Sequence, residues 1–314
     1  MMDGIVTVTL NAAIDQTLDC PGFTVGRVNR VTGQTLTAGG KGINVAAFLA
    51  AGLKGAPVTA TGFLGTDNTP VFEVLFRERA ISDRCLRLPG ASRVNVKVVD
   101  CDGGTVTDIN LPGLRVSDKA LDTLRTTVEE LAGANRYFVL AGSLPAGVPE
   151  EIYADLILRL KARGAFVAVD TSGLPLRHAL AAEPDLMKPN VHELSELLSR
   201  PLNGRDAVLR AARDLRDGGI GMVVVSLGAE GAVFVDGKAA LLAVPPAVEV
   251  ASTVGAGDAM VAGIVAARVD GGDLEGCARR GTAFAVGTLA RLGPELPPLE
   301  EIGTLMRAVR IERL

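Results

Sequence analysis

The sequence predicts an α/β fold, a doubly wound and mostly parallel sheet flanked by helices, with a small inserted β-sheet lid. Three observations carry this. Short apolar runs of β-type residues alternate with helix-length segments, the pattern of parallel strands joined by crossover helices. Two stretches, Thr17–Thr37 and Arg93–Asn110, break that alternation with strand-type residues and no helix between them. Neither a fixed-period repeat nor a Pro/Gly/Ser-rich linker divides the 314 residues, so 1–314 read as one domain with a lid from about 17–37 and 91–113.

In chain order, the strands of the main sheet are expected at Ile5–Leu10, Val58–Gly62, Tyr137–Ala141, Phe166–Asp170 and Met222–Ser226. Helices are expected at Gly42–Ala51, Pro70–Arg79, Asp118–Leu131, Glu150–Arg163, Val191–Ser199, Ala207–Asp217 and Gly257–Val269. In the lid, Val94, Val96 and Val98 alternate with Asn95 and Lys97, and Asp102-Gly103-Gly104 supplies the turn of a hairpin.

Composition excludes several classes. Apolar residues make up 48% of the chain, yet no run approaches the roughly eighteen uncharged apolar residues of a membrane span. A net charge of −4, two Tyr, nine Phe and no Trp give neither the basic surface nor the stacking platforms that nucleic acid needs. The amino terminus lacks a basic leader followed by a long hydrophobic stretch, which predicts a cytoplasmic protein. Cysteines at 20, 85, 101 and 277 have no metal-site spacing and read as ordinary reduced thiols.

The string STVGAGDAMVAG, Ser252 to Gly263, leads small residues into an apolar helix. Gly255 and Gly257 allow a tight turn in which N–H groups and the positive end of the helix face phosphate oxygens. Asp258 then lies in the first turn, where a carboxylate can take the proton of a hydroxyl attacking the terminal phosphate of ATP. Taken alone, Asp258 would be read as a helix cap.

MKPNVHELSEL, Met187 to Leu197, places Asn190 at an N-cap with Glu193 three residues on, which is a capping box. The same pair can organise a water-coordinated Mg²⁺ and nucleotide phosphates, with Lys188 beside them. VVVSLGAEGAVF, Val223 to Phe234, is a hairpin whose Ser226, Gly228 and Gly231 can approach a nucleotide closely. Near the amino end, TAGGKGINVAAFLA sets Gly39, Gly40, Lys41 and Asn44 at a helix start. It is not a Walker loop, because Gly42 rather than Ser or Thr follows Lys41, and no GxGxxG turn follows the first strand. Asp15, just after that strand, suits sugar hydroxyls, while Arg93 and Arg27 suit phosphate. Each of these charged residues alone reads as solvated surface.

Taken in order, TLNAAID, AGGKGINVA, GFLGTDN, SRVNVK, TDINLPG, GSLPAG, DTSG, KPNVHEL, VSLGAEGA and STVGAGDAMVAG resemble the ribokinase-like, or PfkB, carbohydrate kinases from residue 7 to about residue 263. The match is most similar to the branch acting on fructose 1-phosphate. The resemblance implies transfer of the ATP γ-phosphoryl group to the 6-hydroxyl of that sugar, with Asp258 as base and Gly255, Ala256 and Gly257 as anion hole. It places Asn190 and Glu193 near Mg²⁺, and Asp15, Gly39, Gly40, Lys41, Asn44, Arg93 and Ser143 around the sugar phosphate. It also implies a homodimer through the lid. The chain departs from the family in having Ala12 where Pro is usual, which changes the rigidity of that turn. Tagatose 6-phosphate or fructose 6-phosphate as substrate, and a noncatalytic sugar-phosphate sensor, are the competing readings. Gly281–Arg291 is expected to be a further helix bordering the nucleotide.

Overall fold

The structure is a computed structural model that describes residues 4–53, 55–250, 252–291 and 295–314. The chain opens with β1 (Gly4–Thr9), β2 (Ala13–Asp19), β3 (Gly33–Gly39), α1 (Lys41–Gly52), β4 (Val58–Gly65), α2 (Pro70–Glu78) and β5 (Ser82–Leu88). It continues through β6 (Arg93–Asp100), β7 (Thr105–Asn110), α3 (Asp118–Leu131), β8 (Arg136–Ala141), α4 (Ile152–Lys161), β9 (Phe166–Asp170), α5 (Gly173–Leu180) and β10 (Leu186–Met187). It closes with α6 (Val191–Leu198), α7 (Arg205–Asp217), β11 (Met222–Ser226), β12 (Ala232–Val235), β13 (Ala240–Val244), α8 (Ala256–Val269), α9 (Leu274–Leu289), α10 (Leu299–Ala308) and β14 (Arg310–Arg313).

The described strands form a large sheet in the order β14-β13-β12-β11-β10-β9-β8-β1-β4-β5 and a small one in the order β3-β2-β6-β7. From β11 to β5 every pairing in the large sheet is parallel, and the β12–β14 edge is antiparallel. Both faces are covered, which is why the strands read as near-continuous apolar runs. Within β1, Ile5 joins one core with Phe48 of α1, Phe72 of α2, Ala259 of α8 and Phe284 of α9. Val6 and Val8 join the other, with Leu124 of α3, Leu156 of α4, Leu176 of α5, Leu194 of α6 and Val208 of α7. Strand order reverses at β1, between β4 and β8, and the crevice outside the carboxyl ends of strands at such a point is where ligands bind in open α/β sheets.

Every strand and helix expected from the sequence is present, with ends shifted by at most three residues except in α9, which starts at Leu274, well ahead of Gly281. The strands β5, β10, β13 and β14 and the helices α5 and α10 are not marked by the sequence pattern. In the small sheet, β2 and β3 pair from Ala13↔Gly39 to Asp19↔Gly33, so its strands begin before residue 17 and end after 37. Asp15 therefore lies within β2 rather than in a loop after β1. Among the described residues no helix is long and apolar enough to cross a membrane.

Candidate active site

The site forms where the carboxyl ends of β1 and β9, the start of α1, the segment after β10 and the start of α8 converge. Gly40, at φ 106°, turns the chain from β3 into α1; a Cβ there would lie 3.2 Å from the Ala12 Cα and from the Thr9 Cγ2. Glycine is needed for both reasons. Lys41 is the first residue of α1, and Asn44, three residues on, lies on the same face.

Gly255 starts α8 in the left-handed region at φ 81°, and Asp258 lies in the first turn. A helix start leaves its first N–H groups without intrahelical partners, which suits an anion. Asp258 is buried, and the Asn44 Nδ2 donates a 2.8 Å hydrogen bond to its Oδ2. Burial, and then the neighbouring Asp170 carboxylate, push the Asp258 pKa from 3.8 up to about 7, against the opposing pull of Asn44, Lys41 and Lys188. A carboxylate so placed can take up or release a proton near neutral pH.

Asp170, the last residue of β9, is 1% exposed. Its Oδ1 accepts a 2.9 Å hydrogen bond from Lys41 Nζ, and its Oδ2 lies 3.8 Å from Lys188 Nζ. Burial pushes Asp170 upward, but Lys188 and Lys41 outweigh it and hold the carboxyl below the usual range. Burial also works against the Lys41 charge, and Asp170 overcomes that to raise its pKa. Lys188 Nζ reaches α8 as well, 3.4 Å from where a Cβ on Gly257 would stand.

A second group of polar side chains spans the small sheet and the β8–α4 loop. Asp15 Oδ1 accepts a 2.9 Å hydrogen bond from Asn95 Nδ2, across the β2–β6 pairing. Burial raises the Asp15 pKa, opposed by Asn95, Arg93 and Lys97. Gly39 is packed so tightly on this carboxylate that a Cβ would stand 2.2 Å from Asp15 Oδ2. Arg93 Nε donates to the Asn11 carbonyl at 3.4 Å, and Asn11 Nδ2 donates to Ser143 Oγ at 3.1 Å. Next to Ser143, Gly142 at φ 101° would place a Cβ 3.8 Å from the Lys41 Cβ, so this group adjoins the first.

On the far side, Asn190 caps α6: its Oδ1 accepts from Glu193 N at 2.8 Å, and Glu193 Oε2 accepts from Asn190 N at 2.9 Å. Asn190 also bridges Ser226, at the end of β11. Gly228, at φ 63°, has open space where a Cβ would be, whereas Gly231 has a packing reason, since a Cβ would stand 1.9 Å from the Ala243 carbonyl oxygen. Among the described residues no group of three or more His, Cys, Asp or Glu gathers as a metal cage. Glu193 keeps one carboxylate oxygen outside the capping box, a donor set that fits Mg²⁺, which takes most of its ligands from water and phosphate.

The structure thus gathers Asp258, Asn44, Lys41 and Lys188 into one cluster, and joins Asp15, Gly39, Arg93 and Ser143 in the adjoining group. Arg27 stands apart, in the exposed loop between β2 and β3 at the end of the small sheet away from Gly39. Sequence reasoning missed Asp170, Asn95 and Asn11. Asp170 ends an expected strand and opens DTSG, Asn95 is the polar half of an alternating strand, and Asn11 lies within TLNAAID, and none of these patterns assigns a role to the residue. A buried-strand run ending in Asp was the available signal for Asp170.

The sequence pattern of the pfkB family carbohydrate kinases matches residues 8–301. A 1-phosphofructokinase of Rhodobacter capsulatus is 50% identical over 311 residues, covering 99% of this chain and 98% of its own. One from Xanthomonas campestris is 47% identical, over 92% of this chain and 94% of its own. The crystal structure of phosphofructokinase-2 from Escherichia coli in complex with fructose-6-phosphate superposes with a TM-score of 0.90 at 30% identity, covering 98% of this chain and 99% of that one. Matched by this pattern and by these relatives over nearly its whole length, the chain belongs to the pfkB family of carbohydrate kinases.

Proposed function

We propose that this kinase transfers the γ-phosphoryl group of ATP to the 6-hydroxyl of fructose 1-phosphate, giving fructose 1,6-bisphosphate. The observation that carries the chemistry is the buried Asp258 at the start of α8, oriented by Asn44 and flanked by two lysines. Asp258 accepts the hydroxyl proton as the sugar oxygen attacks the γ-phosphorus and the bond to the ADP oxygen breaks. The N–H groups at Gly255, Ala256 and Gly257 stabilise the charge on the moving phosphoryl oxygens. Asp15 and Asn95 hydrogen-bond sugar hydroxyls, and Arg93 takes the phosphate already on the sugar. Glu193 would hold Mg²⁺ through water, and the ion would supply charge neutralisation at the phosphates. Lys188, Asn190, Ser226 and Gly228 line the nucleotide side.

The choice of fructose 1-phosphate rests on the relatives named 1-phosphofructokinase at 50% and 47% identity. The phosphofructokinase-2 likeness at 30% identity favours fructose 6-phosphate as second candidate. ADP formation is measured with Mg-ATP and fructose 1-phosphate, fructose 6-phosphate or tagatose 6-phosphate, comparing kcat/KM. Fructose 1-phosphate is expected to lead; a lead for either 6-phosphate overturns the substrate, and tight sugar-phosphate binding without turnover overturns the enzyme reading in favour of a sensor. Asp258→Asn is expected to lower kcat by roughly 10²–10⁴-fold.

The small sheet doubles as a pocket cover and as the contact between two copies. Across it, Leu36, Gln16, Val96 and Ile109 form one row, and Leu36 and Ile109 are 52% and 50% exposed. Burying that row against a second copy removes apolar surface from water.

A further inference from the structure

We propose that Asp170 is a positioning residue for phosphoryl transfer: from the end of β9 its carboxylate holds the Lys41 and Lys188 ammonium groups as a pair of cations beside Asp258. The inference rests on the kinase reading and extends it. Asp170 is 1% exposed, and the strand leading to it, Phe166–Asp170, is otherwise apolar. A buried carboxylate is expensive unless paired, and a buried ion pair stabilises a fold little more than apolar packing does. Packing alone therefore gives no reason for Asp at this position. What the residue does have is two lysines brought from distant elements, the start of α1 at 2.9 Å and the segment after β10 at 3.8 Å.

Both cations are placed for the moving group. Lys188 Nζ stands beside Gly257 at the anion-binding start of α8, and Lys41 lies in the field of Asp258 and Glu193 as well as Asp170. Asp170 Oδ2 is buried with no hydrogen-bond partner, so its contact with Lys188 is purely ionic and leaves that ammonium its donors. In the proposed reaction the sugar's own phosphate has a separate partner in Arg93, whose Nε donates to the Asn11 carbonyl beyond the Asn11–Ser143 link. Lys41 is thereby assigned to the transferring phosphoryl group rather than to the phosphate carried by the sugar.

Removing the Asp170 charge should separate binding from chemistry. Two lysines freed of their anion still attract the nucleotide phosphates, but no longer hold the geometry that the transition state requires. Asp258 is faced by Asp170 from β9, by Lys41 and Asn44 from α1, and by Lys188 from the segment after β10. Loss of the one negative neighbour makes Asp258 easier to ionise.

The test is Asp170→Asn, Lys41→Met and the double variant, with kcat, the Mg-ATP dissociation constant by calorimetry, and the pH profile of kcat/KM. For Asp170→Asn the expected results are a kcat at least about tenfold lower, Mg-ATP binding unchanged or tighter, and an acid limb moved to lower pH. The kcat loss should shrink in the Lys41→Met background. An unmoved acid limb, or the same fold-loss with and without Lys41, overturns the proposal. Should Asp170→Asn not fold, Lys41→Met and Lys188→Met serve instead: losses in kcat that simply multiply in the double variant overturn it, and losses that overlap support it. Absence of ADP formation by the wild-type protein with every sugar phosphate sinks the kinase reading. That outcome removes the transfer in which Asp170 is placed and overturns the present proposal with it, whereas an active wild type with an unmoved acid limb overturns the present proposal alone.

Discussion

Asp258 carries a stability penalty along with its proposed chemical role. Its carboxyl is raised from 3.8 to about 7 in the folded protein, so between those pH values the folded state holds a proton that the unfolded state has lost. Stability from this group is therefore present below about pH 4, falls as pH rises toward 7, and is fully lost above it. The ceiling of that loss is about 4 kcal/mol. Asp258→Asn is expected to be more stable than the wild type at pH 8, with the difference shrinking through pH 6 and vanishing near pH 4 in urea unfolding. A pH-independent difference would contradict the burial argument. In the proposed reaction, with Asp258 as base, kcat/KM is expected to rise with pH through about 7 as this carboxyl loses its proton.

Two helix starts build the proposed catalytic cluster: Gly40 is needed where a Cβ would crowd Ala12 and Thr9, and Gly255 for its left-handed φ of 81°. Two further glycines act where the middle of α8 crosses α9. At Gly263 a Cβ would stand 2.6 Å from the Arg280 carbonyl oxygen of α9, and at Gly281 it would stand 2.7 Å from Ile264 Cγ1. The two helices are pressed together backbone to backbone, which fixes the angle at which α8 presents Asp258 to α1. Helix propensity favours alanine over glycine by about 1 kcal/mol. The clash outweighs this, since overpacking against backbone costs about 1–3 kcal/mol. Gly263→Ala is accordingly expected to lower stability in chemical denaturation, and a gain would show that α8 and α9 can separate freely.

At the level of the whole molecule, the small sheet has two faces with different surroundings. Asp15 and Asn95 pair on one of them, and the row from Leu36 to Ile109 lies on the other. The dimer proposed through that second face predicts that Ile109→Lys shifts the protein to a monomer in analytical ultracentrifugation, while its melting temperature changes little because the side chain is half exposed. A dimer that survives this change would place the contact elsewhere. With the contact on the small sheet, Arg27, in the exposed loop at the far end of the same sheet, is expected nearer the boundary between copies than its own chain's cluster.

Local pattern alone determined most of the scaffold. Period-2 and continuous apolar runs located β1, β4, β8, β9 and β11, and the Gly-rich helix starts located Lys41, Asn44 and Asp258, because these signals lie within a few residues of one another. α9 was read short because Cys277, Ala278, Phe284 and Ala285 are small or buried on several sides, which erases the amphipathic period. What only the tertiary structure decided are the pairings across the chain: Asn44 with Asp258, Asp170 with Lys41 and Lys188, Asp15 with Asn95. A carboxylate has the same letter whether it is a solvated surface group or a buried base. Its burial and its neighbours, which set its pKa, exist only once distant segments have packed together.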